Sequence, residues 1–187
     1  RSNMLRSKIA PKLGALLLCI FLVPGMAQAK TANVIKAEVD DALATLYDTN
    51  KTAKDLSSSA KGILVFPDVT KAGLIIGGAR GVGALRVNGE TVRHYQTNSA
   101  SIGFQAGVET RSEVIMFMTE DALTKFQNSQ NWQAGVDGSI TVVEKGASGS
   151  VNTKNQTQPI IGFIFGNAGL YGGLNFEGAK ISSYTPE

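Results

Sequence analysis

Residues 61–87 read KGILVFPDVTKAGLIIGGARGVGALRV, two apolar runs around a Pro-Asp pair that end in a ladder of glycines. No other stretch restricts the fold as much. Short runs of Val, Ile and Leu bounded by turn residues mark buried strands. Glycine at near-alternate strand positions marks a bend, a bulge or a close backbone neighbour. We therefore expect strands over residues 63–66 and 74–76, a turn at Pro67-Asp68, and a glycine-kinked strand through Gly77, Gly78, Gly81 and Gly83. The same glycines do not build a nucleotide site. Gly77-Gly78-Ala79-Arg80-Gly81-Val82-Gly83 lacks the Lys-Ser/Thr ending of a P-loop and the Gly-x-Gly-x-x-Gly order of a dinucleotide loop.

The rest of the chain continues the β pattern behind a helical front. Leu85-Arg86-Val87, Asn88-Gly89 and Thr91-Val92-Arg93 form a hairpin signal, since Asn-Gly supplies both positive-φ positions of a type I′ turn. In residues 101–108, Ile102, Phe104, Ala106 and Val108 alternate with a second face that carries Gly103 and Gly107. Residues 114–118 form another strand. Thr119 then caps a helix with Glu120 and Asp121 in its first turn and Leu123 and Phe126 facing inward. Residues 140–143, 160–165, 170–176 and 179–181 supply the remaining strands. The polar run GASGSVNTKNQTQ, residues 146–158, is a long surface connection or mobile hairpin tip, equally suited to bind something polar or to be a solvated loop.

At the front, Ile35, Val39, Ala42, Leu43 and Leu46 recur at three- and four-residue intervals, which predicts an amphipathic helix over residues 34–47. A weaker helical stretch follows over residues 54–60. The polar face of the first helix carries Lys36, Glu38, Asp40 and Asp41, whereas a helix that lies on anionic lipid shows a basic face. It is read as covering one face of the sheet. The fold class expected is α+β: a strongly twisted antiparallel sheet or incomplete β-barrel with glycine-rich strands, flanked by the N-terminal helix and one or two further helices.

Residues 1–29 read as a secretory signal peptide. Arg6, Lys8 and Lys12 precede the apolar run 13–23, Pro24-Gly25 break it, and Ala27-Gln28-Ala29 offers small residues for cleavage before Lys30. Spanning a bilayer takes about 20 apolar residues, and this run ends after eleven at Pro24. Cys19 follows Leu16-Leu17-Leu18 and lacks the small residue that precedes a lipidated cysteine. Arg1, Ser2 and Asn3, ahead of the first Met, read as an upstream remnant. The leader takes four of the eighteen Lys and Arg and none of the fifteen Asp and Glu, which leaves fourteen against fifteen, a net charge of −1. The basic character of the whole chain thus gives no support to nucleic-acid binding. The single Cys leaves with the leader, so an exported, disulfide-free domain must rest on its core. Residues 30–187 are enough for one domain.

The chemistry-bearing residues are few. One His, and no His-x-x-x-His or Cys-x-x-Cys spacing, give no metal site, and no cofactor is expected. His94 lies in the hairpin strand Arg93-His94-Tyr95, a half-exposed position that is rarely a catalytic base. There is no Gly-x-Ser-x-Gly elbow, and a Ser-His-Asp set would have to be assembled from His94 and arbitrary serines. Asp40 with Asp41, and Glu120 with Asp121, are solvated or first-turn helix charges. The chain is not expected to be an enzyme.

Residues 61–87, the GFQAGVE of residues 103–109 and the GLYGGLNFEG of residues 169–178 resemble the SYLF (Ysc84-type) domain in order and spacing, over roughly residues 39–182. The resemblance implies binding. Eukaryotic SYLF domains bind phosphoinositide-containing membranes and, in yeast members, actin filaments, while bacterial relatives follow secretion signals. For an exported chain, periplasmic or associated with the cell envelope, this implies recognition of anionic lipid headgroups on a membrane surface, or of another anionic ligand. Actin is not expected as a partner in that compartment. The candidate contacts are Lys61, Lys71, Arg80, Arg86 and Arg93, beside the glycine-rich strands. Arg86 and Arg93 straddle the hairpin turn, where facing strands would bring them together. The alternative is that these bases are solvent-facing guards of strand edges. Phe163, Phe165, Tyr171 and Phe176 are read as core rather than as lipid-inserting residues. Where eukaryotic members tend to show Tyr-Ser before the terminal Gly-Leu, this chain has Phe165-Gly166-Asn167-Ala168. A second reading is a structural domain that docks envelope proteins through the sheet edge or the 146–158 loop.

Overall fold

The computed structural model describes residues 29–73, 76–102, 108–144 and 157–187. Two helices come first among the described residues, α1 (Ala32–Thr49) and α2 (Lys51–Ser57). Thr31 caps α1 by accepting the Val34 N–H at 3.4 Å. The expected stripe of Ile35, Val39, Ala42, Leu43 and Leu46 is buried. Asn50 serves both helices. Its N–H donates to the Leu46 carbonyl at 2.8 Å and ends α1, and its side-chain oxygen accepts the Ala53 N–H at 2.8 Å and starts α2. The second helix therefore begins at Lys51, earlier than the apolar spacing indicated.

The strands are β1 (Gly62–Gly73), β2 (Ile76–Val87), β3 (Glu90–Ile102), β4 (Val108–Phe117), β5 (Asn131–Gln133), β6 (Thr141–Val142), β7 (Ile160–Gly166), β8 (Gly169–Leu170) and β9 (Lys180–Ser183), with helix α3 (Glu120–Asn128) after β4. Their order in the sheet is β5-β9-β3-β2-β1-β4-β7-β6, with β8 paired to β7. Neighbours are antiparallel except β6 and β7, which run parallel. The α+β class and the incomplete barrel are as expected: among the described residues, three helices and a strongly curled, mixed sheet that forms a half-barrel. The curl brings the two flanks together, since a Cβ on Gly138 would meet both Trp132 on β5 at 2.7 Å and Ile160 on β7 at 3.1 Å.

Pro67-Asp68 does not turn the chain, which corrects the sequence expectation. β1 runs through it as one strand. Its register to β2 jumps from Val65↔Ala84 to Thr70↔Arg80, and to β4 from Phe66↔Glu113 to Val69↔Arg111. Proline has no N–H for a ladder, so a central strand accommodates it as a bulge. The Ser112 hydroxyl donates to the Pro67 carbonyl at 2.7 Å and holds the bulge on the β4 side. On the β2 side the bulge needs glycine. A Cβ on Gly81 would stand 3.0 Å from the Asp68 carbonyl oxygen, and one on Gly83 only 1.8 Å from that of Val65. Of the strand expected over residues 74–76, only Ile76 is described, and it opens β2.

The β2–β3 hairpin follows expectation, with Val87 opposite Glu90, Asn88 at φ 52° and Gly89 at φ 84°. Thr119 caps α3 by accepting the Ala122 N–H at 3.2 Å. β5 was not foreseen, and strand structure in the segment expected over residues 170–176 is confined to Gly169–Leu170. Residues 103–107 of the glycine-alternating segment and residues 145–156, most of the polar loop, lie outside the described residues.

The sheet carries a core on each side. Beneath α1 and α2 lie Val65, Ala84, Val114, Met116, Phe163 and Phe165. On the side of α3 lie Phe66, Tyr95, Phe117, Trp132 and Phe176 around Phe126, whose ring centre is 4.9 Å from Tyr95, 4.7 Å from Phe117 and 5.7 Å from Trp132. The four aromatics weighed for lipid insertion pack inside, with Tyr171 partly buried against this second core. Among the described residues no helix is long and apolar enough to cross a membrane.

Candidate functional site

Alternation along β2 decides what each basic side chain can reach. Val82 and Ala84 belong to the core under α1, so Arg80 and Arg86 lie on the same side of the sheet. Arg86 is already engaged there. Its side chain is 13% exposed and its Nη2 donates to the Asp40 carboxylate of α1, while its Nε is buried without a hydrogen bond. The bond from Lys36, at 2.9 Å, and then the bond from Arg86 hold the Asp40 carboxyl below its ordinary range. Arg86 thus fastens the first helix to the sheet.

Arg93 is not beside Arg86. A register shift between Leu85 and Arg86 pairs Arg93 with Leu85 and Arg86 with Thr91. Leu85 belongs to the α3-side core, so the two arginines lie on opposite sides of the sheet. Arg93 reaches the Gln127 carbonyl in the last turn of α3 at 3.4 Å. Lys71 pairs with Ala79 and Glu109, on the side opposite Arg80. Lys61 is exposed ahead of β1, and its N–H donates to Phe117. The five candidate bases are therefore dispersed, and only Arg80 stands at a groove on the α1 side.

The register places Thr110, Thr70, Arg80, Asn98 and Lys180 in one exposed row across β4, β1, β2, β3 and β9. Thr70 and Thr110 hydroxyls are 3.4 Å apart. Arg80 Nη2 donates to Gln96 Oε1 at 3.4 Å, and Gln96 Nε2 donates to Ser182 at 3.3 Å. Beside this row opens a groove of about 400 Å³, lined by Lys30, Asp68, Thr70, Arg80, Gly81 and Tyr184 among others. The sequence reading missed Lys30, Asp68, Thr70 and Tyr184, which meet only through tertiary structure.

The electrostatics of the groove are uneven. Lys30 Nζ bridges Glu38 of α1 at 2.6 Å and Asp68 of the β1 bulge at 3.4 Å. Burial opposes its charge, but the bonds to Glu38 and Asp68 outweigh burial and raise its pKa. Lys30 N donates to the Tyr184 hydroxyl at 3.1 Å, and Tyr184 N is itself tied to the His94 carbonyl at 2.9 Å. Among the described residues no carboxylate pairs with Arg80. On the other side of the Lys30 bridge, a hollow of about 150 Å³ lined by Glu38, Asp41, Asp68 and Ser112 is acidic.

Two further titratable groups lie away from the groove. His94 is half-buried and burial lowers its pKa, which favours neutral imidazole. The Arg111 Nε–Glu113 Oε1 pair, at 2.8 Å, is sequestered with side-chain exposures of 11% and 5%. Burial pushes the Glu113 carboxyl up against the opposing pull of Arg111. Among the described residues no group of three or more His, Cys, Asp or Glu side chains is placed to hold a metal.

The Ysc84 family model, described as Las17-binding protein actin regulator, matches residues 98–187. No curated protein matches the chain. The matched part runs from the middle of β3 to the C-terminus and includes Asn98 and Lys180 of the exposed row, and Tyr184 of the groove. Residues 98–187 thus match the model of the Ysc84 (SYLF) family, the same family that the sequence motifs resemble.

Proposed function

We propose that this is a non-enzymatic binding module of the cell envelope that takes anionic lipid headgroups on a membrane surface, with Arg80 as the central contact. The observation that carries the reading is the Arg80 guanidinium, exposed at a groove and unmatched by a carboxylate among the described residues. Guanidinium meets phosphate through two parallel hydrogen bonds, and the Thr70 hydroxyl lies in the same groove. Lys180, two strands away in the same row, stands about 10 Å from Arg80 at ordinary strand spacing, within reach of a neighbouring headgroup. With a net charge of −1 after the leader, attraction to an anionic surface has to be local. Export rests on the signal pattern of residues 1–29.

Vesicle flotation of the exported chain tests this, with phosphatidylcholine vesicles and with vesicles that also contain phosphatidylglycerol, at low and high salt. The expected result is flotation only with the anionic vesicles, weakened by salt, lost in Arg80→Ala and retained in Arg93→Ala. Equal flotation with both vesicles, or anionic flotation that Arg80→Ala leaves intact, overturns it. Salt-insensitive capture of an envelope protein with no flotation favours the docking reading instead.

A further inference from the structure

Residue 30 is where the leader pattern and the groove meet. Ala29 and Lys30 both line the groove beside Arg80, and the main-chain nitrogen of Lys30 lies 3.1 Å from the Tyr184 hydroxyl. Ala27-Gln28-Ala29 is the small-residue pattern after which a signal peptidase cuts. Hydrolysis of the Ala29–Lys30 peptide bond adds the water hydroxyl to the Ala29 carbonyl carbon. The departing leader carries the carboxylate, and the amide nitrogen of Lys30 becomes an ammonium. We propose that this cleavage completes a phosphate site, in which the α-ammonium of Lys30 is the second cation beside Arg80. The proposal rests on the anion-binding reading above and names the event that switches that site on.

Charge and position both point this way. Before cleavage, Arg80 and Lys30 line the groove with Asp68, and Glu38 binds Lys30 from the other side of the bridge, two cations against two carboxylates in all. Cleavage adds one positive charge at a fixed point, which makes the groove an anion site by charge as well as by shape. The new ammonium is held from several directions. Its side chain is anchored on α1 and on the β1 bulge, the next residue, Thr31, caps α1, and Tyr184 accepts one of its three N–H groups. Two N–H groups remain for a ligand oxygen. Ala29, a lining residue, leaves with the leader and widens the groove. The ligand class is a phosphate mono- or diester, borne on a lipid or free in solution.

Mass spectrometry of the exported chain is expected to find Lys30 as its first residue, and any other first residue overturns the proposal. The exported chain is then compared with the same chain preceded by one glycine, which displaces the amine by about 3.8 Å. The two probes are inorganic phosphate, by calorimetry, and phosphatidylglycerol vesicles, by flotation. The expected gap is about tenfold in affinity, equivalent to about 1.4 kcal/mol. A gap with vesicles only assigns the phosphate to a lipid, and a gap with inorganic phosphate as well assigns recognition to the phosphate itself. Tyr184→Phe keeps the amine but removes its partner and is expected to lose part of the same affinity, which guards against a folding defect in the extended chain. Equal affinity of the two chains, with binding still lost in Arg80→Ala, overturns this proposal and leaves the headgroup reading standing. No binding by either chain overturns both.

Discussion

Gly83 is the point at which β2 has no room for a side chain. A Cβ there would stand 1.8 Å from the Val65 carbonyl oxygen, 2.7 Å from its carbon and 2.9 Å from Cδ1 of Phe66. Carbon and oxygen in contact keep about 3.3 Å apart, so Gly83→Ala demands a displacement of about 1.5 Å. The obstacle is main chain, and no rotamer relieves it. Nor can β1 swing away, because it is paired to β2 on one side and β4 on the other, and Phe66 is fully buried. Ordinary overpacking costs about 1–3 kcal/mol, and this site belongs at the top of that range. In a domain of this size each kcal/mol moves the melting temperature by about 2–4 °C, so a loss of about 6–12 °C is expected. Thermal and urea unfolding, followed through the buried Trp132, the only tryptophan in the chain, would measure it. Gly78→Ala in the same strand is the control. A Cβ there meets only the Ser99 carbonyl at 3.6 Å, so it should be neutral or add about 0.4–1 kcal/mol through the unfolded state. A Gly83→Ala protein that melts at the wild-type midpoint refutes the close approach of β1 and β2.

Arg111→Ala strands the buried Glu113 carboxylate, and losing one partner of such a pair costs about 3–5 kcal/mol. Burial raises the folded pKa of Glu113, so its ionisation costs stability as pH rises from the unfolded value, about 4.3. The deficit of Arg111→Ala should therefore be largest at pH 7 and shrink toward pH 5 in urea titrations, and an equal deficit at both counts against the pair. For Asp40 the sign is opposite. Its lowered pKa, owed first to Lys36 and then to Arg86, gives stability that is present above the unfolded value, about 3.9, and lost as pH falls through the folded one. Unfolding midpoints of wild type and Asp40→Asn should differ at neutral pH and converge below about pH 4. Thr119→Ala removes the cap of α3 and should cost about 1 kcal/mol, and an unchanged denaturation midpoint would show that Thr119 contributes nothing there.

Local signals were legible in the sequence wherever the chain needed no distant partner. The helical stripe from Ile35 to Leu46 and the Asn88-Gly89 hairpin both follow from neighbours a few residues apart. Pro67-Asp68 misleads because the same dipeptide suits a turn and a bulge. What decides is the Ser112 hydroxyl on β4 and the bare backbones of Gly81 and Gly83 on β2. Arg86 and Arg93 look symmetric about the hairpin, but one shifted pair between Leu85 and Arg86 sends them to opposite sides, because side chains alternate with a period of two. β5 is three residues long with one buried side chain, Trp132, too short for a pattern to register.

Sequence shows cations but not their counter-ions, and here the counter-ions decide which arginine is left without a carboxylate. Arg86 is matched by Asp40, Arg93 caps a carbonyl of α3, and the Lys30 side chain bridges Glu38 and Asp68. What singles out Arg80 among the described arginines is therefore not its own surroundings in the chain but the engagement of Arg86, Arg93 and Arg111 elsewhere. The groove closes between residues far apart in the chain, Lys30 and Tyr184, 154 positions apart. A carboxylate, Asp68, lies in the same groove and would repel a phosphate drawn to Arg80. The Lys30 side chain neutralises that carboxylate, and by the same bonds it ties the first helix to the bulge that the glycines of β2 make possible. On the proposed headgroup reading, the glycine ladder of β2 acts on binding at one remove. It lets β1 bulge, the bulge presents Asp68, Asp68 and Glu38 fix Lys30, and Lys30 sets the charge that an anion meets beside Arg80.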